Sequence, residues 1–157
     1  MTLDEFDRRI LAALQADASM PIAKLAEVAG LSPTPCWRRV QKLEQAGIIR
    51  KRVALLDREK LNVGVTVFIA IRTSQHNAAW YERLRQALAD IPEVMDFYRM
   101  SGEIDYLIRA VVPNIQTYDA VYNRLINRID LTDVTSMFAM EEIKSTTEIP
   151  LDYAVRG

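Results

Sequence analysis

The chain contains few of the residues that form cross-links, metal sites or phosphate-binding loops. Its 157 residues include one cysteine, Cys36, and one histidine, His76. A single cysteine forms no intrachain disulfide, and one Cys with one His supplies neither a zinc cluster nor a nucleophile–base pair. The five glycines form no phosphate-cradling loop. We therefore expect the chain not to be an enzyme and to hold neither metal nor cofactor, with His76 in a surface or capping role and Cys36 buried and inert.

Long hydrophobic runs are also absent. No run reaches the roughly 18 residues of a membrane-spanning helix, and the N-terminus carries Asp4, Glu5 and Asp7, which a signal peptide lacks. Hydrophobic residues make up 50% of the chain and charged residues 26%, as in ordinary globular proteins. These features predict a cytoplasmic protein with no membrane partner, folded as one domain or two small ones.

The net charge of −1 conceals an uneven distribution. Residues 1–60 carry 11 Lys and Arg against 8 Asp and Glu, whereas residues 61–157 carry 9 against 13. Between residues 32 and 52, six basic residues face one acid, Glu44. Because affinity for a polyphosphate depends on positive charge at the contact surface, this pattern favours nucleic-acid contact by the N-terminal part alone.

The strongest local pattern predicts a short amphipathic helix. Ser32 is a favourable N-cap, and Pro33 suits a first helical position. Apolar Cys36, Val40 and Leu43 follow at the spacing of a buried helix face. The opposite face carries basic and hydrogen-bonding side chains: Thr34, Arg38, Gln41, Lys42 and Gln45. Such a helix is typical of major-groove recognition, so we expect sequence-specific binding to double-stranded DNA.

The first 46 residues predict three helices in total. Thr2 or Asp4 caps the first, while Pro21 opens the second and Gly30 ends it. Because only a tight turn separates Gly30 from Ser32, the second and third helices are expected to form a helix-turn-helix.

The next segment, Ile48–Leu56, predicts a short extended wing because it is rich in β-branched and aliphatic residues. Its three consecutive cations, Arg50, Lys51 and Arg52, are expected to contact phosphate, which supplies affinity without sequence information. The alternative is a charged edge that protects a strand from aggregation.

The rest of the chain alternates strand and helix patterns. The order is strand, helix, strand, strand, helix, strand, at residues 65–72, 77–91, 94–100, 104–112, 114–129 and 134–143. This is the order of the ferredoxin-like βαββαβ unit, so the predicted fold class is α+β, with an N-terminal winged helix-turn-helix. Helices on one face leave the other face of the sheet uncovered, and a second copy of the chain is its simplest partner.

These patterns divide the chain into four segments. Residues 1–56 are predicted to form the DNA-binding domain, and residues 57–64 a linker across which the charge changes sign. Residues 65–144 form the βαββαβ domain. Residues 145–157 have weak patterning and are expected to be a flexible or partner-bound tail.

Specific motifs extend over nearly the whole chain. In the first half they are Leu3-Asp4, Asp7-Arg8-Arg9-Ile10-Leu11, Leu25-Ala26, Leu31-Ser32-Pro33-Thr34-Pro35-Cys36, Arg39-Val40, Leu43-Glu44 and Gly47-Ile48-Ile49. In the second half they are Met100-Ser101-Gly102, Asp105-Tyr106-Leu107 and Ala139-Met140-Glu141-Glu142-Ile143-Lys144. With these motifs the chain resembles the Lrp/AsnC (feast/famine) transcription regulators. Thr34-Pro35-Cys36-Trp37, Val53-Ala54-Leu55-Leu56-Asp57 and Asp133-Val134-Thr135-Ser136 are similar to a cysteine-responsive branch of that family.

The resemblance implies a regulator that senses an amino acid, built from homodimers that assemble further, often to octamers. It places a small amino-acid effector, cysteine or leucine-like, near contacts between dimers. The residues expected there are Ser101, Gly102, Glu103, Asp105, Tyr106, Thr135 and Ser136. Many family members carry Gly-Asp-aromatic-Asp where this chain has Gly102-Glu103-Ile104-Asp105. The extra methylene and the lost ring bear on which amino acid fits.

The residue types at this hairpin suit a zwitterion. Exposed backbone N–H groups near Gly102 would hold the effector carboxylate, while Asp105 accepts its ammonium group. Thr135 and Ser136 would supply hydroxyl contacts from a neighbouring subunit. A hairpin connection that needs φ > 0 is by itself a sufficient reason for Gly102.

Several predicted DNA contacts have a plainer interpretation. Arg38 and Lys42 would then belong to a solvated helix face. Arg39 lies nearer the core edge, where a phosphate contact or an internal ion pair is as plausible as base readout. We expect Trp37 to pack against the first helix in preference to lying along the sugar-phosphate backbone. Arg39 and Ser32 complete the set of residues expected near DNA.

Two other functions remain open at this point. One is a metabolic regulatory subunit that binds amino acids and does not touch DNA. The other is a dimeric ferredoxin-like enzyme with a helical interaction module. The absence of a catalytic constellation argues against the enzyme.

Overall fold

A computed structural model describes residues 2–75, 77–129, 131 and 133–154. The chain divides into two compact units. The N-terminal unit comprises Met1–Leu55 with Ile143–Gly157, and the sheet unit comprises Leu56–Glu142. His76 lies outside the described residues, as do the last three residues of the predicted tail. Among the described residues, no helix has the length and apolar character needed to cross a membrane.

Three helices form the N-terminal unit, and their ends follow the residues that cap them. Helix α1 spans Glu5–Ala16, α2 spans Ile22–Ala29 and α3 spans Pro33–Gln45. Asp4 caps α1, and its side chain accepts a hydrogen bond from the Asp7 backbone N–H at 2.9 Å. Gly30 ends α2 at φ +74°, a left-handed conformation that glycine adopts without a Cβ clash. The predicted helix-turn-helix is confirmed.

Apolar stripes of the three helices meet in one core. Ile10 comes from α1 and Leu25 from α2, while α3 contributes Cys36, Val40 and Leu43. Each of these side chains is at most 3% exposed, which confirms the buried face predicted for α3. Full burial of an aliphatic side chain contributes about 1.5–3 kcal/mol, so this face determines which side of α3 turns outward.

The predicted wing forms no β-strand. Residues 50–56 have no regular secondary structure and no ladder partner. A strand needs a neighbour for its N–H and C=O groups, and the described part of the N-terminal unit contains no second strand. The winged part of the prediction is therefore wrong for the protomer.

The segment expected to be a tail packs on the N-terminal unit. The Ile149 N–H donates to Gln15 Oε1 at 2.8 Å, and Gln15 Nε2 donates to the Ile149 carbonyl at 3.2 Å. Leu151 and Ala154 contact the core of the three helices. The described part of this segment is thus held by its own chain.

The sheet unit follows the predicted βαββαβ order. Its elements are β1 (Val65–Arg72), α4 (Ala78–Ala89), β2 (Val94–Arg99), β3 (Tyr106–Val112), α5 (Ile115–Ile126) and β4 (Asp133–Phe138). The strands are antiparallel in the order β2-β3-β1-β4, so the ferredoxin-like α+β class is confirmed. Strand β4 ends at Phe138 and not at the predicted Ile143. Its last residue pairs with Val67, and β1 begins at Val65, so β1 has only two further residues with which a longer β4 could pair.

Alternate residues of the strands have opposite roles. Those on one face, such as Ile69 and Ile108, form the core of the sheet unit with Trp80, Leu84 and Val121 from the helices. The opposite face, here called the open face, lies outside that core cluster. It carries Asp96, Tyr98, Thr66, Phe68, Ala70, Leu107, Arg109, Val111, Thr135 and Met137.

Candidate nucleic-acid interface and effector hairpin

Helix α3 presents most of the residues predicted to contact DNA. Ser32 is its N-cap, although its side chain makes no capping hydrogen bond, and Pro33 occupies the first turn. Because the apolar face is fixed in the core, the polar face turns to solvent. The outward stripe of α3 consists of the exposed Thr34, Arg38, Lys42 and Gln45 and the half-buried Gln41.

Two cations of the outward stripe have no partner among the residues that the structure describes. Arg38 and Lys42 lie one helical turn apart, and neither forms an ion pair or hydrogen bond with any described residue. They line an open cleft of about 490 Å³ together with Thr2 and Pro35. Cations in this condition are available to phosphate oxygens or to the acceptors on base edges.

Arg39, which lies between Arg38 and Lys42 in sequence, is engaged within the protein. Its Nη1 donates to Asp4 Oδ2 at 2.7 Å and to Asp7 Oδ1 at 2.8 Å. Its guanidinium also lies 5.3 Å from the centroid of the Phe6 ring, within the range of a cation–π contact. Of the roles that the sequence leaves open for Arg39, the internal ion pair is the one observed.

The charges in this network are mutually stabilised. The Asp7 backbone N–H holds the pKa of Asp4 below its ordinary value; burial opposes this shift, and the Arg39 guanidinium lowers the pKa further. The Asp7 and Asp4 carboxylates in turn raise the pKa of Arg39. The network therefore joins α1 to α3 at the edge of the outward stripe.

Glu44 connects α3 to the basic segment that follows it. Its Oε2 accepts a hydrogen bond from Gln41 Nε2, and its Oε1 accepts one from Arg52 Nη2, both at 3.1 Å. Arg50 and Lys51 are exposed and form no ion pair with any described residue. The protein thus places Arg52 beside α3, while Arg50 and Lys51 are unpaired within the described part of the chain.

Two neighbours on α3 have opposite environments. Cys36 is fully buried, and burial raises the pKa of its thiol, which suits the predicted inert role. Trp37 is 53% exposed. The prediction that Trp37 packs against the first helix is wrong, because Cys36, Val40 and Leu43 already occupy the inward side of α3.

The hairpin between β2 and β3 contains four of the predicted effector residues: Ser101, Gly102, Glu103 and Asp105. It closes with a hydrogen bond from the Met100 N–H to the Asp105 carbonyl at 2.8 Å. Gly102 adopts φ +117°, as predicted, and a Cβ there would be strained. Ser101 and Glu103 are exposed on either side of it.

Asp105 ties this hairpin to the end of β1. Its N–H donates to the Ile71 carbonyl at 2.9 Å, and its Oδ2 accepts the Thr73 N–H at 2.8 Å. Its other carboxylate oxygen has no hydrogen-bond partner among the described residues. That oxygen is available to a ligand ammonium group.

The remaining predicted effector residues do not share one surface. Thr135 lies exposed on the open face, opposite Ala70 of β1. Ser136 lies on the helix-covered face, where its hydroxyl is hydrogen-bonded to that of Tyr118. Tyr106 is 5% exposed, and its ring packs against Trp80 and Phe97 at centroid distances of 5.6 and 5.5 Å. The Tyr106 ring is therefore a core group in the protomer.

Sequence reasoning missed two residues that the fold brings to the hairpin. Arg72 Nη2 lies 3.6 Å from Glu103 Oε2, and Arg72 Nη1 lies 3.9 Å from Asp133 Oδ2. Thr73 supplies the N–H bound by Asp105. Arg72 is the last residue of β1 and Thr73 follows it, some thirty positions before the hairpin, so only the strand register reveals their position. On α3, the exposure of Trp37 was not expected, although its helical spacing from Thr34 and Gln41 was a signal for it.

Comparisons with known proteins cover both units. A family model described as the AsnC-type helix-turn-helix domain matches residues 3–44, and one described as the Lrp/AsnC ligand binding domain matches residues 66–149. The DNA-binding transcriptional activator DecR of Escherichia coli K12 is 47% identical over 151 residues, which cover 96% of this chain and 99% of that protein.

Solved structures have the same fold over nearly their whole length. An AsnC family transcriptional regulator from Agrobacterium tumefaciens superposes with a TM-score of 0.93 at 56% identity, covering 96% of this chain and 99% of its own. A transcriptional regulator from Neisseria meningitidis, solved as a complex with L-methionine, gives a TM-score of 0.91 at 35% identity, covering 97% and 99%.

Proposed function

Because the chain belongs to the Lrp/AsnC family of DNA-binding, amino-acid-responsive transcription regulators, which are not enzymes, we propose which of its residues perform these tasks. One family model matches residues 3–44 and the other residues 66–149. With this support we assign DNA binding to residues 1–56 and effector binding with oligomerisation to residues 65–144, joined by a linker at 57–64. The catalytic alternative is set aside by the relatives. A regulator of bacterial genes works beside the chromosome, in the cytoplasm, and we place this one there.

The outward stripe of α3 enters the major groove of a DNA duplex. Arg38 and Lys42 contact base edges or phosphates, with Thr34, Gln41 and Gln45 as hydrogen-bonding neighbours and Ser32 at the helix entrance. Arg50, Lys51 and Arg52 contact phosphate. The observation that carries this assignment is that Arg38 and Lys42 are unpaired among the described residues while Arg39 between them is bound to two carboxylates. Arg39 therefore supports α3 and does not touch DNA.

A small amino acid binds at the hairpin. Asp105 accepts a hydrogen bond from the effector ammonium group with its free carboxylate oxygen, and the turn at Gly102 offers backbone N–H groups to the effector carboxylate. Thr135, exposed on the open face, supplies a hydroxyl across a subunit contact. Cysteine is the first choice of effector, from the likeness to a cysteine-responsive branch, and a leucine-like side chain is the second. The relative that holds L-methionine supports an amino acid of this size.

Two copies of the chain form a dimer through the open face. These dimers assemble to a higher oligomer, for which we propose an octamer. Tyr98 and Met137 on this face are 52% and 46% exposed, and a self-complementary apolar patch is suited to a two-fold dimer. The dimer presents two copies of α3 to a roughly palindromic site. Binding of the amino acid changes assembly or the orientation of α3, and by linkage DNA changes the affinity for the amino acid by the same factor.

The test is a mobility-shift titration of the Arg38→Ala/Lys42→Ala variant on a duplex that the wild-type protein enriches from a random pool. The variant is expected to lose at least tenfold in affinity, and the slope of log affinity against log salt should fall by about two. Sedimentation should show unchanged assembly. The matched control is Arg83→Ala/Arg85→Ala, which removes two exposed cations from α4 and should leave affinity within twofold. Equal affinity of the wild type and the α3 variant contradicts the proposed interface.

A further inference from the structure

Trp37 is the one large aromatic side chain that α3 exposes. The chain has two tryptophans, and the other, Trp80, is 1% exposed in the core of the sheet unit. Trp37 is 53% exposed and has no aromatic or cation–π contact within the described residues. An indole combines a large apolar body with one N–H donor, so it gains most at an interface that is partly apolar and partly wet.

The position of Trp37 places it among the proposed DNA contacts. On a helix, side chains three and four residues apart are neighbours. Thr34 precedes Trp37 by three positions and Gln41 follows it by four, and both belong to the outward stripe. Arg38 is the next residue. Any duplex that reaches these three polar side chains also reaches the indole.

The chemistry of the major groove limits what an indole can contact there. Base edges present hydrogen-bond donors and acceptors, and the one apolar group among them is the C5-methyl of thymine. We infer that Trp37 reads an A·T base pair by packing its indole on a thymine methyl, and so acts as a specificity residue beside Arg38. This inference rests on the proposed DNA interface, because it assumes that the outward stripe of α3 is the surface that meets the duplex.

The positions of Gln41 and Arg52 support the assignment of the Trp37 indole to the DNA interface. Glu44 binds both Gln41 and Arg52, which fixes a polar and basic flank on the Gln41 side of Trp37. Contacts to phosphate position a protein on the duplex, whereas contacts to base edges read its sequence. We assign the first task to the basic flank and the second to the indole.

The experiment uses the full chain and a duplex recovered by in vitro selection with the wild-type protein. The Trp37→Ala variant should bind this duplex roughly tenfold more weakly, the order expected for the loss of one base-pair contact. Its salt slope should equal that of the wild type, since an indole carries no charge. Arg38→Ala, in contrast, should lower the slope by about one.

Single replacements of thymine by deoxyuridine test the contact itself, because they remove only the C5-methyl. At one or two positions the wild type should lose roughly fourfold in affinity, as expected when one methyl group leaves an apolar contact. Trp37→Ala should lose less than twofold at the same positions, so the two changes are coupled. Tyr153→Ala, which removes another exposed ring of the N-terminal unit, should keep the wild-type pattern.

The two tryptophans provide an independent readout. DNA should change the intrinsic fluorescence of the wild type, and Trp37→Phe should abolish that change because the remaining Trp80 is buried. Thermal unfolding of both Trp37 variants should match the wild type, since the side chain contributes little to the core. If the wild type selects a duplex but Trp37→Ala binds it equally well, or every deoxyuridine effect persists in that variant, this inference is overturned while the DNA interface stands. If the wild type selects no duplex, both fall together.

Discussion

The outward stripe of α3 and the hairpin at residues 100–105 are organised in opposite ways. All five residues of the stripe come from one helix, and its free cations, Arg38 and Lys42, already face solvent. The hairpin site draws on three strands, because Asp105 is bound to the backbone at the end of β1 and Arg72 joins Glu103 to Asp133 of β4. One surface is complete in the protomer, and the other is built by strand register.

This difference sets how each site responds to change. A site on one helix keeps its geometry as long as that helix stays seated on its core. A site on three strands shifts when any of the three moves, and its exposed groups, such as Thr135, still need a neighbour to complete them. The DNA-binding surface is therefore suited to constant recognition, and the hairpin is suited to reporting a ligand.

The largest expected effect separates ligand binding from folding at the hairpin. Asp105→Asn keeps an oxygen for the Thr73 N–H but removes the charge that faces the effector ammonium group. Hydrogen bonds to charged groups contribute about 1.5–3 kcal/mol, so affinity for the effector should fall by at least tenfold with little change in unfolding temperature. Thermal-shift titrations with cysteine, leucine and methionine measure this loss.

The control for that variant is Asp119→Asn on α5, an exposed aspartate outside the hairpin, which should keep wild-type affinity. If Asp105→Asn binds its effector as tightly as the wild type, the ammonium assignment is wrong. If the wild-type protein responds to none of the twenty amino acids, the proposal that the hairpin binds an amino acid is contradicted.

Much of the fold follows from periodicity alone. Helical spacing predicts the inward face of α3, since Cys36, Val40 and Leu43 recur at the interval that one buried stripe requires. The strand and helix order of the second half predicts the βαββαβ unit for the same reason. Periodicity does not tell which side chain at the border of a stripe is covered, and Trp37 and Arg39 both lie at such borders.

The hairpin site is less predictable, because its contacts join residues that are distant in sequence. The bond from Thr73 to Asp105 depends on the pairing of Ile71 with Tyr106, and no local pattern specifies that register. Tyr106 and Ser136 belong to family-like motifs, yet strand alternation turns both toward the helices. A motif identifies the neighbourhood, and register decides which of its side chains are accessible.

A second experiment tests whether Arg39 stabilises the fold without contributing to DNA binding. Arg39→Met should lower the free energy of unfolding by about 1–2 kcal/mol, because it leaves the buried Asp7 carboxylate without its cation, discounted for the partial exposure of the pair. The salt slope of DNA binding should stay unchanged, since the Arg39 guanidinium is engaged by Asp4 and Asp7 of its own chain. Urea unfolding and mobility-shift titrations measure the two quantities.

Arg9→Met is the matched control for Arg39→Met. Arg9 lies over the same Phe6 ring at 5.9 Å, but its carboxylate partner, Glu5, is on the exposed surface of α1. Its loss should cost less than about 0.5 kcal/mol, as for other exposed helix pairs. A drop of about one in the salt slope for Arg39→Met would instead make Arg39 a phosphate contact.

The smallest expected effect concerns Asp4, the exposed end of the same network. Asparagine caps helices as well as aspartate does, so Asp4→Asn removes the charge and keeps the cap, with a loss of a few tenths of a kcal/mol at neutral pH. The folded pKa of Asp4 lies below its ordinary value of 3.8, chiefly through the Asp7 backbone N–H. The stabilisation from its charge is therefore present above pH about 4 and disappears as the pH falls through the folded pKa. Urea unfolding of both proteins from pH 7 to pH 2.5 should show their difference shrinking in acid. A difference that grows in acid would mean that the Asp4 charge does not stabilise the contact between α1 and α3.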